Sequence, residues 1–158
     1  MSTYRFAAVC KGGHCIDAWL HSPETEERYC PSCGAEVITR CLGCQTPIRG
    51  KYDNPSVLDL TPFHVPQYCS ACGKPYPWTE AAIEAAATML EEESELDEIQ
   101  KKNLISSLPD IVSETPKTKL AVVRLKKALL SVGAFTAEGL RQFAIDFGCE
   151  LAKQQMGM

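Results

Sequence analysis

Hydrophobic and polar positions alternate differently in the two halves of the chain. Up to about residue 78, apolar residues occur in short β-type runs such as Val37-Ile38-Thr39 and Cys15-Ile16-Asp17-Ala18-Trp19, set among Cys, Pro and Gly. Beyond Pro77-Trp78-Thr79 the chain turns to Ala, Glu, Leu and Lys, which are strong helix formers. Thr79 suits a helix N-cap, with Ile83, Ala86, Ala87 and Leu90 on one stripe. Ser94 is expected to cap a second helix carrying Leu96 and Ile99, and Pro109-Asp110 to break it. Thr115-Pro116 opens a third, which buries Val122, Leu125, Leu129 and Val132 and stops at Gly133. Thr136 caps a fourth, with Leu140, Phe143, Ala144, Phe147 and Leu151 on one face. The pattern predicts an α+β protein: a β-rich module over residues 1–78 and a segment of about four α-helices over residues 79–158.

Composition leaves room for a packed core, because 45% of the 158 residues are hydrophobic. The net charge of −4 and a pI near 5.4 argue against a general nucleic-acid binder. No apolar stretch of signal-peptide type follows Met1, and no run reaches the roughly 18 apolar residues of a membrane span. A cytoplasmic location away from membranes is therefore expected, with thiols kept reduced. Charge is segregated among the helices. Glu80 to Glu98 holds eight acidic residues and no basic one, and Lys117 to Lys127 holds five basic residues and no acidic one. Complementary packing of those helices side by side is the simplest expectation; an acidic partner for the basic helix is the other.

Nine cysteines change the picture, because eight fall before residue 73 and only Cys149 lies beyond. Three Cys-x-x-Cys pairs are present: Cys30/Cys33, Cys41/Cys44 and Cys69/Cys72. Two intervening residues let both thiolates of a pair reach one metal ion at about 2.3 Å. A glycine after the second cysteine, Gly34 or Gly73, allows the positive φ on which such a knuckle ends. Tetrahedral zinc needs four ligands, so the fourth half-site must lie in Cys10-Lys11-Gly12-Gly13-His14-Cys15. Thiolate chemistry favours Cys15 as the partner of Cys10, whereas the tight Gly12-Gly13 turn favours His14. On the residues alone the two are even. Sequential pairing puts the first half-site with Cys30 and Cys33, and Cys41 and Cys44 with Cys69 and Cys72; interleaved, cross-braced pairing is the alternative. The second site then encloses a longer spacer with Pro55, Pro62 and Pro66, expected to form an extended loop or an extra hairpin.

Two closed, structural zinc sites are expected, and no enzyme. Catalytic zinc keeps an open position. A redox Cys-x-x-Cys normally opens a helix that depresses its thiol pKa, whereas strand or proline residues follow these pairs. His21 and His64 are isolated and read as surface or loop residues.

The runs Cys10-x-x-Gly13-His14, Cys30-x-x-Cys33-Gly34, Cys41-Leu42-Gly43-Cys44-x-x-Pro47-Ile48-Arg49-Gly50 and Lys74-Pro75-Tyr76-Pro77-Trp78-Thr79 carry a resemblance. So does Glu114-Thr115-Pro116-Lys117-Thr118. Together they resemble a bacterial family of double zinc-ribbon proteins with a helical C-terminal tail, a domain of unknown function. The resemblance covers nearly the whole chain and implies a tandem zinc ribbon of short β-hairpins. It also implies that His14 is the ligand and that Cys15 takes an aliphatic position. It brings no activity.

Arg40, Arg49, Lys51 and Lys74 lie close to the knuckles, with Tyr52, Tyr68, Tyr76 and Trp78 nearby, a mixture that can bind single-stranded nucleic acid. Against this, residues 1–78 balance seven basic with seven acidic side chains, and the thiolate sites add negative charge. Packing of Tyr76 and Trp78 against the first helix is the favoured reading. In the last helix Ile145, Cys149, Ala152 and Met156 form a second apolar stripe, expected to serve self-association or a protein partner. The functional expectation is a non-enzymatic zinc-binding adaptor with two zinc ions. A nucleic-acid-binding ribbon is the alternative, and a redox or metal-relay protein is less favoured still.

Overall fold

The computed structural model describes residues 1–157. The chain forms two compact units, Met1–Glu80 and Ala81–Met158.

The first unit is built around a long central strand. β1 (Thr3–Cys10) pairs antiparallel with β2 (Cys15–Leu20). It also pairs with the two-residue β3 (Val37–Ile38) through Val9 and Cys10, and with β4 (Arg49–Asp53) through Thr3, Tyr4 and Phe6. Register breaks in β1 on both sides coil the small sheet. Gly50 lies at the tightest point: a Cβ there would overlap the carbonyl oxygens of Ala18 and Phe6. The strands bury small residues, Ala7, Ala8, Val9 and Ala18, together with Ile38 and Ile48. Between Asp53 and Tyr68 no strand forms, so the proline-bearing spacer is an extended loop.

Among the described residues the helical unit has five helices, where the periodicity predicts about four. α1 is Pro77–Glu91, α2 Glu98–Val112, α3 Thr118–Ser131, α4 Ala134–Phe147 and α5 Glu150–Met156. α1 begins in the first unit, with Pro77 at its first position, where a missing N–H costs nothing. The N-cap of α2 is Asp97, not Ser94; it makes a capping box in which the Asp97 side chain accepts from Gln100 N–H and the Gln100 side chain accepts from Asp97 N–H. Pro109 does not end α2. It lies in the last turn, which burial of Leu108, Ile111 and Val112 sustains and Ser113 closes by donating N–H and hydroxyl to the Pro109 carbonyl. Gly133, rather than Thr136, is the N-cap of α4 and offers no side chain. The carboxylate of Glu93 substitutes for one, accepting the Gly133 N–H at 3.3 Å and the Glu95 N–H at 3.1 Å. A hydrogen bond from Thr136 and these backbone donors outweigh the effect of burial and hold the Glu93 carboxyl below the ordinary glutamate range. Gly139 on α4 leaves the space that the Met89 sulfur of α1 occupies.

Two expectations for the helices fail. The acidic and basic segments do not pair through their charges: α3 packs on α2, α4 and α5, and among the described residues no ion pair links it to the Glu80–Glu98 segment. Arg124 instead donates to the Ser107 hydroxyl at 2.9 Å. The stripe of Ile145, Cys149, Ala152 and Met156 is not one surface. Gly148 ends α4, the Cys149 N–H turns to the Ile111 carbonyl at 2.8 Å, and Ala152 is fully buried. Of the four, Ile145 is exposed and the other two are half-buried.

Candidate metal centres

Each Cys-x-x-Cys pair occupies the same local structure. The residue before the first cysteine bridges the residue three beyond the second: Tyr29 with Glu36, Arg40 with Pro47, Tyr68 with Pro75. Inside each bridge the first cysteine donates its N–H across the turn, to Ala35, Thr46 or Lys74, and accepts from the residue after the second cysteine. That residue takes the left-handed conformation in every case: Gly34 at φ 74°, Gln45 at 64° and Gly73 at 75°. Glycine was the expected residue there, and Gln45 meets the same requirement with a side chain, at a cost. The first half-site differs in sequence but turns alike, with Cys10 N–H donating to the His14 carbonyl and Gly13 N–H to the Cys10 carbonyl.

The turns bring eight donor atoms into two sets, Cys10, His14, Cys30 and Cys33, and Cys41, Cys44, Cys69 and Cys72. Within either set all four donor atoms lie within 4.8 Å of one another. In the first, Cys10 Sγ is 3.6 Å from Cys33 Sγ and 3.5 Å from His14 Nδ1, and Cys30 Sγ is 3.6 Å from His14 Nδ1. In the second, Cys41 Sγ is 3.7 Å from Cys72 Sγ, and Cys44 Sγ is 3.6 Å from Cys69 Sγ. Disulfide sulfurs would stand about 2.05 Å apart. A tetrahedral ion with metal–sulfur bonds of about 2.3 Å and a metal–nitrogen bond of about 2.05 Å gives sulfur–sulfur edges of about 3.8 Å and sulfur–nitrogen edges of about 3.6 Å. The observed separations have those lengths, so both sets fit a tetrahedral metal ion of thiolate preference.

The surroundings favour the thiolate at Cys30 and Cys69; at the second cysteine of those knuckles the Ala35 or Lys74 N–H favours it too, but burial and the facing thiols outweigh that, pushing Cys33 up and Cys72 up to about 11. The first cysteine of each knuckle is buried and the second exposed. Backbone N–H groups aim at the buried sulfurs: His14 at Cys10 (3.3 Å), Gly43 at Cys41 (3.4 Å) and Ala71 at Cys69 (3.4 Å). At Cys30, burial works against ionisation, but the Ser32 and Cys33 N–H groups and the neighbouring thiols bring the pKa down to about 6. Cys69 is likewise lowered to about 6 against the effect of burial, by the Cys72 and Ala71 N–H groups and the facing thiols. Cys15 lies outside both sets. It opens β2 opposite Val9 and is exposed.

The Lys74–Thr79 run explains itself through these turns. Tyr76 and Trp78 are both buried and stack at 4.7 Å between ring centroids. Trp78 donates its indole N–H to the Pro66 carbonyl at 3.0 Å, and its Cβ stands 3.1 Å from where a Cβ at Gly13 would be. Tyr76 lies beside the second set: burial first, and then the negative charge of Cys69, push its hydroxyl pKa well up. The two rings therefore form a wall between the first knuckle and the second cluster, a role that their spacing alone did not reveal.

The sequence profile of the family described as "Uncharacterized protein conserved in bacteria (DUF2321)" matches residues 3–156, and the chain belongs to that family. No curated protein and no solved structure matches it.

Proposed function

We propose that this member of the bacterial family is a non-enzymatic zinc protein in which two structural zinc ions hold the first unit in shape, while the helical unit makes contact with protein. The observation that carries the reading is the closure of both donor sets. Four protein atoms at tetrahedral edge lengths leave no position for substrate or water, which catalytic zinc requires. The donor chemistry supports zinc: seven thiolates and one imidazole form soft sets whose charge exceeds that of a divalent ion, and the N–H groups on the buried sulfurs disperse the net negative charge. X-ray absorption at the zinc edge tests this. Zinc bound by sulfur with a minor nitrogen contribution and no oxygen is the expected spectrum; a water or carboxylate oxygen in the first coordination sphere would contradict it.

One observation favours single-stranded nucleic acid as a second reading. On the sheet of the first unit, Arg49 lies over the Tyr4 ring at 4.4 Å and Lys51 over the Trp19 ring at 5.5 Å, with Tyr52 edge-on to Tyr4. Tyr4, Trp19 and Tyr52 are each about half exposed, and stacking platforms combine such rings with such cations. Fluorescence anisotropy with a labelled oligonucleotide decides: binding that weakens steeply with salt supports this reading, and no binding at low salt removes it.

A further inference from the structure

Arg124 is held in place by the helix beside it. It is half-buried, and one guanidinium nitrogen donates to the buried Ser107 hydroxyl at 2.9 Å and to the Asn103 carbonyl at 3.5 Å, both on α2. Among the described residues no carboxylate pairs with it. An oriented guanidinium without a counter-charge calls for a carboxylate.

Arg124 and Lys127 line a groove of about 170 Å³ between α2 and α3, together with the buried Leu96, Leu104 and Ala128. No acidic side chain lines it; Glu91 and Glu98 border a separate recess with Lys101 and Lys102. Pockets that enclose a small-molecule ligand span about 300–1,000 Å³, so this groove has room for side chains that a larger partner inserts. At about 100° per residue, Leu120 and Lys127 connect the groove side of α3 to its outer side, which carries Val123 and Leu130. Leu120, Val123 and Leu130 are exposed by 50%, 47% and 89%. Lys119 and Lys126 flank that outer side, and α3 contains no acidic residue. Groove and outer side form one strip that is apolar and carries only positive charge.

We propose that this strip receives an acidic amphipathic helix of a protein partner. Its carboxylates meet Arg124 and Lys127, and its aliphatic side chains cover Leu96 and Leu104 in the groove and Leu120, Val123 and Leu130 beside it. A nucleic acid fits less well, because no aromatic ring lines the groove for a base to stack on. An anionic lipid surface would meet the exposed lysines and leave the half-buried Arg124 without a counter-charge. The inference rests on the reading of the helical unit as the protein-contacting part and names the chemistry of that contact.

Fluorescence anisotropy of the full zinc-loaded chain tests it with three labelled helical peptides. They share leucines at one i, i+3, i+4 stripe and carry Glu, Gln or Lys at the other positions. The Glu peptide is expected to bind about tenfold more tightly than the Gln peptide at low salt, the worth of a charged hydrogen bond, and the Lys peptide least. The preference shrinks at about 1 M salt, where the screening length falls to about 3 Å. Arg124→Glu/Lys127→Glu inverts the order of the Glu and Lys peptides. Lys127→Glu alone, an exposed change that leaves the Ser107 bond intact, weakens the Glu peptide and keeps the test open if the double variant unfolds. Leu120→Ser/Leu130→Ser weakens all three without changing their order. A wild-type chain that does not bind the Glu peptide at low salt would overturn the proposal. So would an unchanged order in a charge-reversed chain with wild-type circular dichroism. Tighter binding to phosphatidylserine vesicles or to a thymidine oligonucleotide, lost in the same variants, would assign the strip to those ligands instead and overturn it too. Binding of the Glu peptide that persists in every groove variant removes the groove and leaves the helical unit as a contact surface elsewhere. An oxygen ligand on zinc in a chain that binds as expected sinks the zinc reading alone.

Discussion

In the first unit the strands bury mostly alanines and a valine, and the side chains that converge from distant parts of the chain are thiols and an imidazole. In the helical unit the converging side chains are Leu90, Leu104, Leu108, Ile111, Leu125 and Leu140, each almost completely buried. One unit closes its loops through donor atoms and the other through apolar area. The difference teaches where each is vulnerable. Four donor atoms at tetrahedral edge lengths tolerate no missing member, whereas a leucine core loses stability in increments.

The largest expected effect is therefore metal removal. Structural zinc in small domains contributes about 10–16 kcal/mol of apparent binding energy at neutral pH. Chelation, or Cys30→Ser, should abolish the β signal in circular dichroism and expose the Trp78 indole, while the helical signal persists. A sheet that survives chelation would break the comparison. Next comes Leu125→Ala, which removes a fully buried side chain from α3. It should cost about 2–5 kcal/mol in denaturant unfolding of the helical signal, with metal content unchanged.

Glu93→Gln should lower the melting temperature of the helical unit by a few degrees, since the carboxylate caps α4 from the segment before α2. Its pH dependence has a definite sign. The folded pKa lies below the unfolded one, so the contribution is fully present above the ordinary glutamate range and is lost as pH falls through the depressed folded value. Thermal melts of wild type and Glu93→Gln should converge in acid; melts that stay parallel would show that the charge is not what matters. The smallest effect is a gain. Gln45→Gly relieves a left-handed residue in the second knuckle and should stabilise the metal-bound first unit by about 1 kcal/mol. A loss instead would mean that the Gln45 side chain contributes more than its backbone conformation costs.

The knuckles were legible because a Cys-x-x-Cys turn is a local event: two thiols and the residue after them determine its shape. The choice between His14 and Cys15 was open on the residues, because both are within reach of a Gly-Gly turn. The structure places the imidazole among the sulfurs and leaves Cys15 on the surface. What escaped notice acts over distance. Gly50 is needed because two carbonyls from other strands crowd it, and Glu93 caps a helix forty residues further on, so Thr136 looked like the better local candidate. Pro109 reads as a breaker in isolation and is tolerated because the final turn of α2 is buried around it. The apolar stripe through Cys149 assumed one continuous helix, which Gly148 interrupts.

Native mass spectrometry of the full chain tests the central claim most directly. Two zinc ions per chain are predicted, with both retained in Cys15→Val and one lost in His14→Ala. One ion or none in the wild-type chain, or loss of an ion on replacing Cys15 but not His14, would contradict it.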